Sequence, residues 1–181
     1  MATVRRTETG QPGWLTGTFR DRESAERAYD SLAARGYTRD DVTVLMSDDT
    51  RRRHFASNTV RGETELGSKA AEGAATGAAV GGVTGALAGI LLAAGTIALP
   101  GLGLVIAGPL AAALAGLGAG GAAGGLIGAL IGAGIPEERA RLYETDVKKG
   151  GIVLGVRPRT ADDAAYLDRE WRTYRAENVY Y

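Results

Sequence analysis

The sequence predicts an α+β fold that is interrupted by a long helical insertion. Residues 73–136 form an uncharged block without Asp, Glu, Lys, Arg or His, and this block holds 19 of the 28 glycines. On each side of the block, the residue patterns predict a strand, a helix and a strand. Taken together, these two βαβ halves have the element order of a ferredoxin-like βαβ-βαβ domain, also called a split βαβ unit.

The first half of the domain is predicted over residues 14–50, behind an N-terminal tail at 1–13. A strand at 14–19 is followed by Asp21, which occupies a helix N-cap position, and a second strand covers 42–46. The helix between them is predicted from apolar residues at helical spacing, namely Ala25, Ala28, Tyr29, Leu32 and Ala33.

The second half is predicted over residues 137–181. A helix follows Pro136, and its inner stripe consists of Ala140, Tyr143 and Val147. A strand at 152–156 precedes a helix that opens with Thr160 in a capping pattern, and 178–181 predicts a last strand. The ferredoxin-like order is obtained when the helix after Pro136 is left out.

A polar connector, residues 51–72, leads into the uncharged block at 73–136. Small residues recur every four positions, which predicts two helical legs near 73–99 and 109–134 that are joined by a turn. The glycines proposed to pack these helices are Gly73, Gly77, Gly81, Gly85, Gly89, Gly116, Gly120, Gly124, Gly128 and Gly132.

Each predicted leg would be about 40 Å long, enough to cross a hydrocarbon core of about 30 Å. Repeated small residues allow close helix contact in lipid, which offsets the low helix propensity of glycine. The sequence therefore favours a transmembrane hairpin, with membrane lipid and further copies of the chain as partners. The alternatives are a soluble hairpin that assembles into a filament or shell, and a flexible linker.

Basic residues occur beside the open ends of the predicted hairpin and are missing from its tip. The positive-inside tendency then places both termini in the cytoplasm. We expect an inner-membrane protein with a cytoplasmic α+β domain, or, in the alternative interpretation, a cytoplasmic assembly.

Strand alternation predicts a sheet with one open face, because the helices of two βαβ units cover only the other face. Trp14, Leu45 and Val153 would lie on the open face and form an apolar patch. We interpret this patch as a possible self-association face.

The charges argue against several function classes. Residues 1–72 carry 12 basic and 12 acidic side chains and 137–181 carry 9 of each, so neither flank has the basic face that nucleic-acid binding requires. No cysteine is present, and His54 follows three arginines in a polar stretch. The paired aspartates stand at turns and helix starts, where they are expected to cap. We predict no enzyme activity, catalytic residue, cofactor, metal site or nucleic-acid partner, and leave a small-molecule ligand open.

Two stretches are similar to known bacterial proteins. Residues 14–48, WLTGTFRDRESAERAYDSLAARGYTRDDVTVLMSD, resemble the N-terminal module of the general-stress and heat-induced stress protein family. Residues 124–156 resemble the second half of stress-induced membrane proteins of unknown function, in which a Gly-rich stretch leads into Gly-Ile-Pro-Glu and a Gly-Gly strand. The resemblance implies a bacterial stress context and supplies no catalytic residue.

These observations predict a non-enzymatic, stress-associated protein that is anchored in the membrane and self-associates through glycine-zipper helices. The second hypothesis is the soluble filament or shell. A third, a small-molecule-sensing ferredoxin-like module, rests on fold analogy alone.

Overall fold

The computed structural model describes residues 13–55, 86–92, 97–99, 103–116 and 125–181. The strands in this part of the chain are β1 (Leu15–Phe19), β2 (Val42–Ser47), β3 (Ile97–Leu99), β4 (Leu104–Ala107), β5 (Ile152–Val156) and β6 (Glu177–Tyr180). The helices are α1 (Arg22–Ala33), α2 (Asp48–Phe55), α3 (Ala86–Leu92), α4 (Pro109–Gly116), α5 (Gly125–Gly132), α6 (Glu137–Lys148) and α7 (Ala161–Thr173).

The strands form one antiparallel sheet in the order β3-β4-β2-β5-β1-β6. β5 lies between β1 and β2, with Leu154 paired to Gly17 on one side and to Val44 on the other. The predicted α+β class is confirmed, and each of the four strands expected from the flanks is present within one residue of its predicted start.

Helix boundaries follow the capping residues that the sequence indicated. The Asp21 carboxylate accepts a hydrogen bond from the Ser24 backbone N–H at 2.8 Å. The Thr160 hydroxyl accepts one from the Asp163 N–H at 3.0 Å. Gly36 follows α1 with φ +74°, a conformation that glycine adopts without a steric penalty. These two hydrogen bonds and the conformation of Gly36 confirm the predicted ends of α1 and the start of α7.

The predicted connector at 51–72 begins with a helix instead. α2 starts directly after β2, and the Ser47 hydroxyl accepts a hydrogen bond from the Thr50 N–H at 3.0 Å. Asp48 pairs with both Arg51 and Arg52, at 2.7 and 2.6 Å, one turn further along the helix. These i, i+3 and i, i+4 ion pairs favour a helix in this polar stretch.

The predicted first helical leg at 73–99 is wrong at its C-terminal end. α3 ends at Leu92, and β3 and β4 then form an antiparallel pair that extends the sheet beside β2. β4 is buried on both faces, so a continuous run of apolar residues suits it as a strand. The second leg begins at Pro109 as predicted, and residues 117–124 within it lie outside the described part.

The first face of the sheet is covered by α1, α3 and α7. Trp171 of α7 contacts Phe19 of β1 edge to face, with ring centroids 5.8 Å apart. Its indole N–H donates to the Ala28 carbonyl of α1 at 3.3 Å. A single side chain thus joins two helices and the sheet.

The second face is covered by α4, α5 and α6, so the predicted open face is wrong. Trp14 is 9% exposed, Leu45 1% and Val153 4%. They share one core with the α6 stripe of Ala140, Tyr143 and Val147, which is buried as predicted. The helix left out of the ferredoxin-like order therefore covers the face that was expected to be open.

The described residues of the uncharged block thus pack on the same sheet as the flanks, and among these residues no separate helical hairpin is present. None of the helices described is both long enough and apolar enough to cross a membrane. Several of the ladder glycines lie outside the described residues, namely Gly73, Gly77, Gly81, Gly85, Gly120 and Gly124.

Candidate functional site

A buried carboxylate, Asp146 on α6, lies against strands β1 and β6. Its side chain is only 5% exposed. It accepts hydrogen bonds from the Thr18 hydroxyl at 3.0 Å and from the Asn178 amide at 2.9 Å. A guanidinium nitrogen of Arg20 lies 3.7 Å from its other oxygen. We call these four side chains the Asp146 network.

Local backbone geometry brings the network together. The pairing of β1 with β6 shifts register between Thr16 and Thr18, and Asn178 has φ +52°, which asparagine tolerates better than most residues. After α6, a Cβ on Gly151 would lie 2.9 Å from the Asp146 carbonyl oxygen and 3.1 Å from Thr18 Cγ2. Glycine at 151 therefore allows β5 to start close beneath the end of α6.

Tyr143 lies one turn before Asp146 and is fully buried. Its hydroxyl and the Thr16 hydroxyl of β1 form a short hydrogen bond. Burial raises the pKa of Tyr143 to about 12, although the bond to Thr16 acts in the opposite direction. The phenol therefore stays protonated at neutral pH. In this state, Tyr143 forms a fixed contact between α6 and the sheet.

At the exposed end of the network, Arg20 pairs with Glu177 at 2.6 Å. Mainly through this hydrogen bond, the pKa of Glu177 is lowered and that of Arg20 is raised. Among the described residues, no buried side-chain nitrogen or oxygen lacks a hydrogen-bond partner. A fully satisfied network of this kind holds α6 on the sheet, and we assign it that structural role.

The second candidate is a cleft of about 330 Å³ beside the N-terminal end of β1, which we call the Trp14 cleft. It lies where the uncharged block meets the charged flanks. Its lining consists of Trp14, Asp40, Asp41, Pro109, Ala113, Gly132, Ala133 and Arg157.

Trp14 is held in one orientation. Its indole N–H donates to the Ala133 carbonyl at 3.1 Å, beyond the end of α5. The ring lies near Gly155 of β5, where an added Cβ would be 3.5 Å from Trp14 Cε3. The Arg157 guanidinium carbon lies 4.7 Å from the ring centroid, within the range of a cation–π contact. The cleft therefore has a fixed aromatic wall with a cation against it.

The two carboxylates of the cleft differ in their environments. Partial burial raises the pKa of Asp41, but hydrogen bonds from the Thr38 N–H and hydroxyl, and then the Arg159 guanidinium, bring it below its usual value. Arg159 lies 3.1 Å from Asp41 and stacks on Tyr37, at 4.4 Å from the ring centroid. Asp40 is exposed, and its carboxylate forms no ion pair within the described part of the chain.

The structure brings Trp14, Leu45 and Val153 into one cluster, as predicted, but buries all three. Gly89, Gly116, Gly128 and Gly132 lie in helices. Side chains built at Gly89 and Gly128 would meet no atom of the described chain within 4 Å. These two glycines therefore do not mediate close helix packing among the described residues of a single chain.

Sequence reasoning missed Arg157, Arg159, Tyr143 and Asp146 as members of polar sites. For Arg157 and Arg159, the available signal was the Arg-Pro-Arg run after β5. Two arginines at the end of one strand can pair with the aspartates Asp40 and Asp41, which precede a neighbouring strand. His54 is exposed, as expected for a solvated histidine.

The described residues contain no group of three or more His, Cys, Asp or Glu side chains placed to hold a metal ion. Comparison with protein families, with curated proteins and with solved structures finds no significant match to this chain. The function must therefore be argued from the residues and their geometry.

Proposed function

We propose that this chain is a non-enzymatic, stress-associated interaction protein that self-associates through the glycine-rich helices of its uncharged block. The main support for the proposal is the exposed, apolar outer side of α5. The bacterial stress context comes from the resemblance of residues 14–48 and 124–156 described above.

The two sides of α5 differ sharply. Leu126, Ala129 and Leu130 are buried against the sheet and α6. On the opposite side, Ile131 is 43% exposed, one of two large apolar side chains that stand out among the described residues. Gly128 is next to open space and Gly132 is exposed.

Gly128, Ile131 and Gly132 are spaced i, i+3, i+4, so they share one helix face. This face has no charge, and two glycines leave the backbone accessible beside an exposed isoleucine. A helix of a second copy can approach such a face closely, as helices do at small-xxx-small contacts. Burial of Ile131 then adds an apolar contribution.

The same surface also suits contact with lipid, which was the first expectation from the sequence. The described helices are short, so the membrane version of the proposal relies on residues outside the described part. We therefore name a second copy of the chain as the partner and treat membrane association at the cell inner membrane as the competing outcome of the test.

At the level of fold, we propose that β1, α1, β2, β5, α7 and β6 form a ferredoxin-like unit to which the uncharged block contributes an extra layer and two strands. The strand order β2-β5-β1-β6 supports this proposal, because each βαβ half encloses a strand of the other half.

The test is sedimentation of the full chain over a range of micromolar concentrations. We expect an oligomer that dissociates when Ile131→Asp places a charge on the outer side of α5. Ala165→Asp is the matched control, since it adds the same charge to an exposed alanine of α7 on the other face of the sheet. The control should remain oligomeric.

A monomeric wild type, or an unchanged oligomer in Ile131→Asp, would overturn self-association through α5. Flotation with liposomes of bacterial lipids separates the competing outcome. A monomer that floats with the vesicles, and that stops floating in Ile131→Asp, would assign the surface to lipid.

A further inference from the structure

We propose that strand β6 exchanges between two copies of the chain, so that β1 of one copy pairs with β6 of the other. The partner is a second copy, and the interaction surface is the edge of β1 on which β6 lies. This edge is at the opposite end of the sheet from β3 and β4. The exchange therefore uses different residues from the contact proposed for α5, and neither proposal depends on the other.

The link between α7 and β6 is short and its backbone is strained. It consists of residues 174–176, and Arg175 in its middle has φ +62°. In the described part of the chain, Arg175 and Asn178 are the two non-glycine residues with a positive φ. A left-handed conformation brings Cβ too close to the following carbonyl oxygen, so arginine adopts it at an energetic cost. A short link under strain favours domain exchange.

Other helices of the chain end in the same geometry, but with glycine at the strained position. After α1, α5 and α6, a glycine has φ between +74° and +90°, and the next residue donates a backbone hydrogen bond to the residue five positions earlier. These glycines are Gly36, Gly134 and Gly150. After α7, the Ala176 N–H donates the corresponding bond to the Trp171 carbonyl at 2.9 Å, and Arg175 stands where the other helices have glycine. Glycine is the usual residue in this Schellman arrangement, so the strain is specific to the α7 end.

Exchange relieves the strain and keeps the contacts of β6. In the exchanged form Arg175 adopts helical dihedral angles, so α7 continues beyond Thr173 and carries β6 away from its own sheet. On the second copy, Asn178 again donates to Asp146, Glu177 pairs with Arg20, and Val179 enters the core of the first face. Domain exchange replaces contacts within a chain by the same contacts between chains, which makes it a low-cost route to a dimer. The difference between the two forms therefore depends mainly on the link.

β6 is also easier to open than an inner strand. It lies at the edge of the sheet and pairs with β1 at Thr16–Tyr180 and Thr18–Glu177, with a register shift between these two positions. β1 and β5, in contrast, pair in regular register at five positions. Elements with fewer interactions open at a lower free energy than the core of the fold.

The test is disulfide trapping in the full chain, which contains no cysteine of its own. Thr16→Cys and Tyr180→Cys are combined, because these residues lie directly opposite each other. Such residues of antiparallel strands have Cα atoms about 4.5–5.5 Å apart, within the range of a disulfide. In a closed chain the disulfide forms within one chain, whereas in an exchanged dimer it joins two chains. A dimer held only by α5 separates on a denaturing gel.

We expect a covalent dimer on a non-reducing denaturing gel after incubation at high micromolar concentration and oxidation. Mass spectrometry of the digested dimer should identify a link between residues 16 and 180, which distinguishes exchange from a chance disulfide between two exposed copies of residue 180. Far-UV circular dichroism verifies that the variant is folded. If it is not, Thr18→Cys combined with Glu177→Cys, the other pair in register, gives the same measurement.

Two substitutions of Arg175 separate backbone strain from the arginine side chain. In the same cysteine background, Arg175→Gly removes the strain of the closed form. The association constant for exchange should therefore fall about tenfold for each link, which corresponds to about 1.4 kcal/mol. Arg175→Ala is the matched control, since it removes the guanidinium but keeps the Cβ that causes the strain. It should form as much covalent dimer as the chain with Arg175.

The proposal is overturned if the 16–180 disulfide forms only within single chains at every concentration, or if Arg175→Gly yields as much covalent dimer as Arg175→Ala. Ile131→Asp in the cysteine background should leave the covalent dimer unchanged, and its loss would overturn the independence from α5. Sedimentation of the chain without cysteines reports on the α5 contact separately, so failure of exchange and failure of the proposed function are distinguishable.

Discussion

Replacing Gly108 with alanine should destabilise the fold strongly, because Gly108 lies where the uncharged block meets strand β2. It directly follows β4 and has φ +89°. A Cβ at this position would overlap the Val42 carbonyl oxygen, and it would lie 2.9 Å from the Val42 carbonyl carbon and 3.1 Å from Thr43 Cα. All three atoms belong to the backbone of β2, which is held by β5 on its other side.

The magnitude follows from two costs and one gain. A left-handed conformation costs a residue with a Cβ roughly 1–2 kcal/mol, and overpacking against a backbone that cannot move costs about 1–3 kcal/mol. Alanine restricts the unfolded chain, which returns about 0.4–1 kcal/mol. The expected net loss in the free energy of unfolding is therefore about 1–5 kcal/mol.

Two other glycines of the same block serve as matched controls. Gly103 has φ +61° but open space around it, so Gly103→Ala should cost about 1 kcal/mol, from the backbone conformation alone. Gly89 lies in α3, also with open space and without a positive φ, so Gly89→Ala should stabilise the fold by about 0.5–1 kcal/mol.

Urea unfolding followed by far-UV circular dichroism measures all three variants. Equal losses for Gly108→Ala and Gly103→Ala would refute the reasoning, because they would mean that Gly108 does not lie against β2. A helical hairpin separate from the sheet predicts that equality, since both residues would then belong to its connecting turn.

Two further predictions concern the second face of the sheet. Because the pKa of Tyr143 is raised in the folded chain, the unfolded chain releases its phenolic proton at lower pH. The contribution of Tyr143 to the free energy of unfolding is therefore fully present below pH 10 and falls by on the order of 2 kcal/mol as the pH rises to about 12. Thermal melts across this range should show a smaller fall in Tyr143→Phe. Asp146→Ala should cost about 2–4 kcal/mol in urea unfolding, because it leaves the buried Thr18 and the half-buried Asn178 without their acceptor. Glu144→Ala, which removes only a partly exposed ion pair with Lys148, should cost less than about 1 kcal/mol, and equal costs for the two variants would contradict the structural role of the network.

Local signals made the helices and strands of the flanks predictable. The α1 and α7 caps depend on residues three positions apart, Asp21 with Ser24 and Thr160 with Asp163. The α6 stripe depends on spacing within one helix. Interactions between residues this close in sequence can be predicted from the order of residue types along the chain.

β4 could not be predicted in the same way. It consists of four apolar residues, Leu104–Ala107, inside a long apolar stretch, and periodicity does not distinguish a short buried strand from part of a helix. The glycine spacing around it favoured a helix. Its conformation is determined by pairing with β2, whose residues are far away in the sequence.

The packing of helices on the second face of the sheet was partly predictable. Strand alternation predicted that Trp14, Leu45 and Val153 lie on that face, and the apolar stripe of α6 had no predicted partner. Joining the two would have predicted that α6 covers the sheet there, as the structure shows. The Trp14 cleft was harder to predict, because its lining comes from five separate parts of the chain.

The position of β4 also bears on the order in which the chain assembles during synthesis. β1 and β2 emerge early but do not pair with each other, because β5 must enter between them. Val44 of β2 can pair with Ala107 of β4 once residue 107 has been synthesised, but with Leu154 of β5 only after residue 154 follows. Pairings over such sequence separations form slowly, and an unpaired strand is prone to aggregate in the meantime. By pairing with one side of β2 first, β4 leaves only the other side of β2 exposed until β5 has been synthesised.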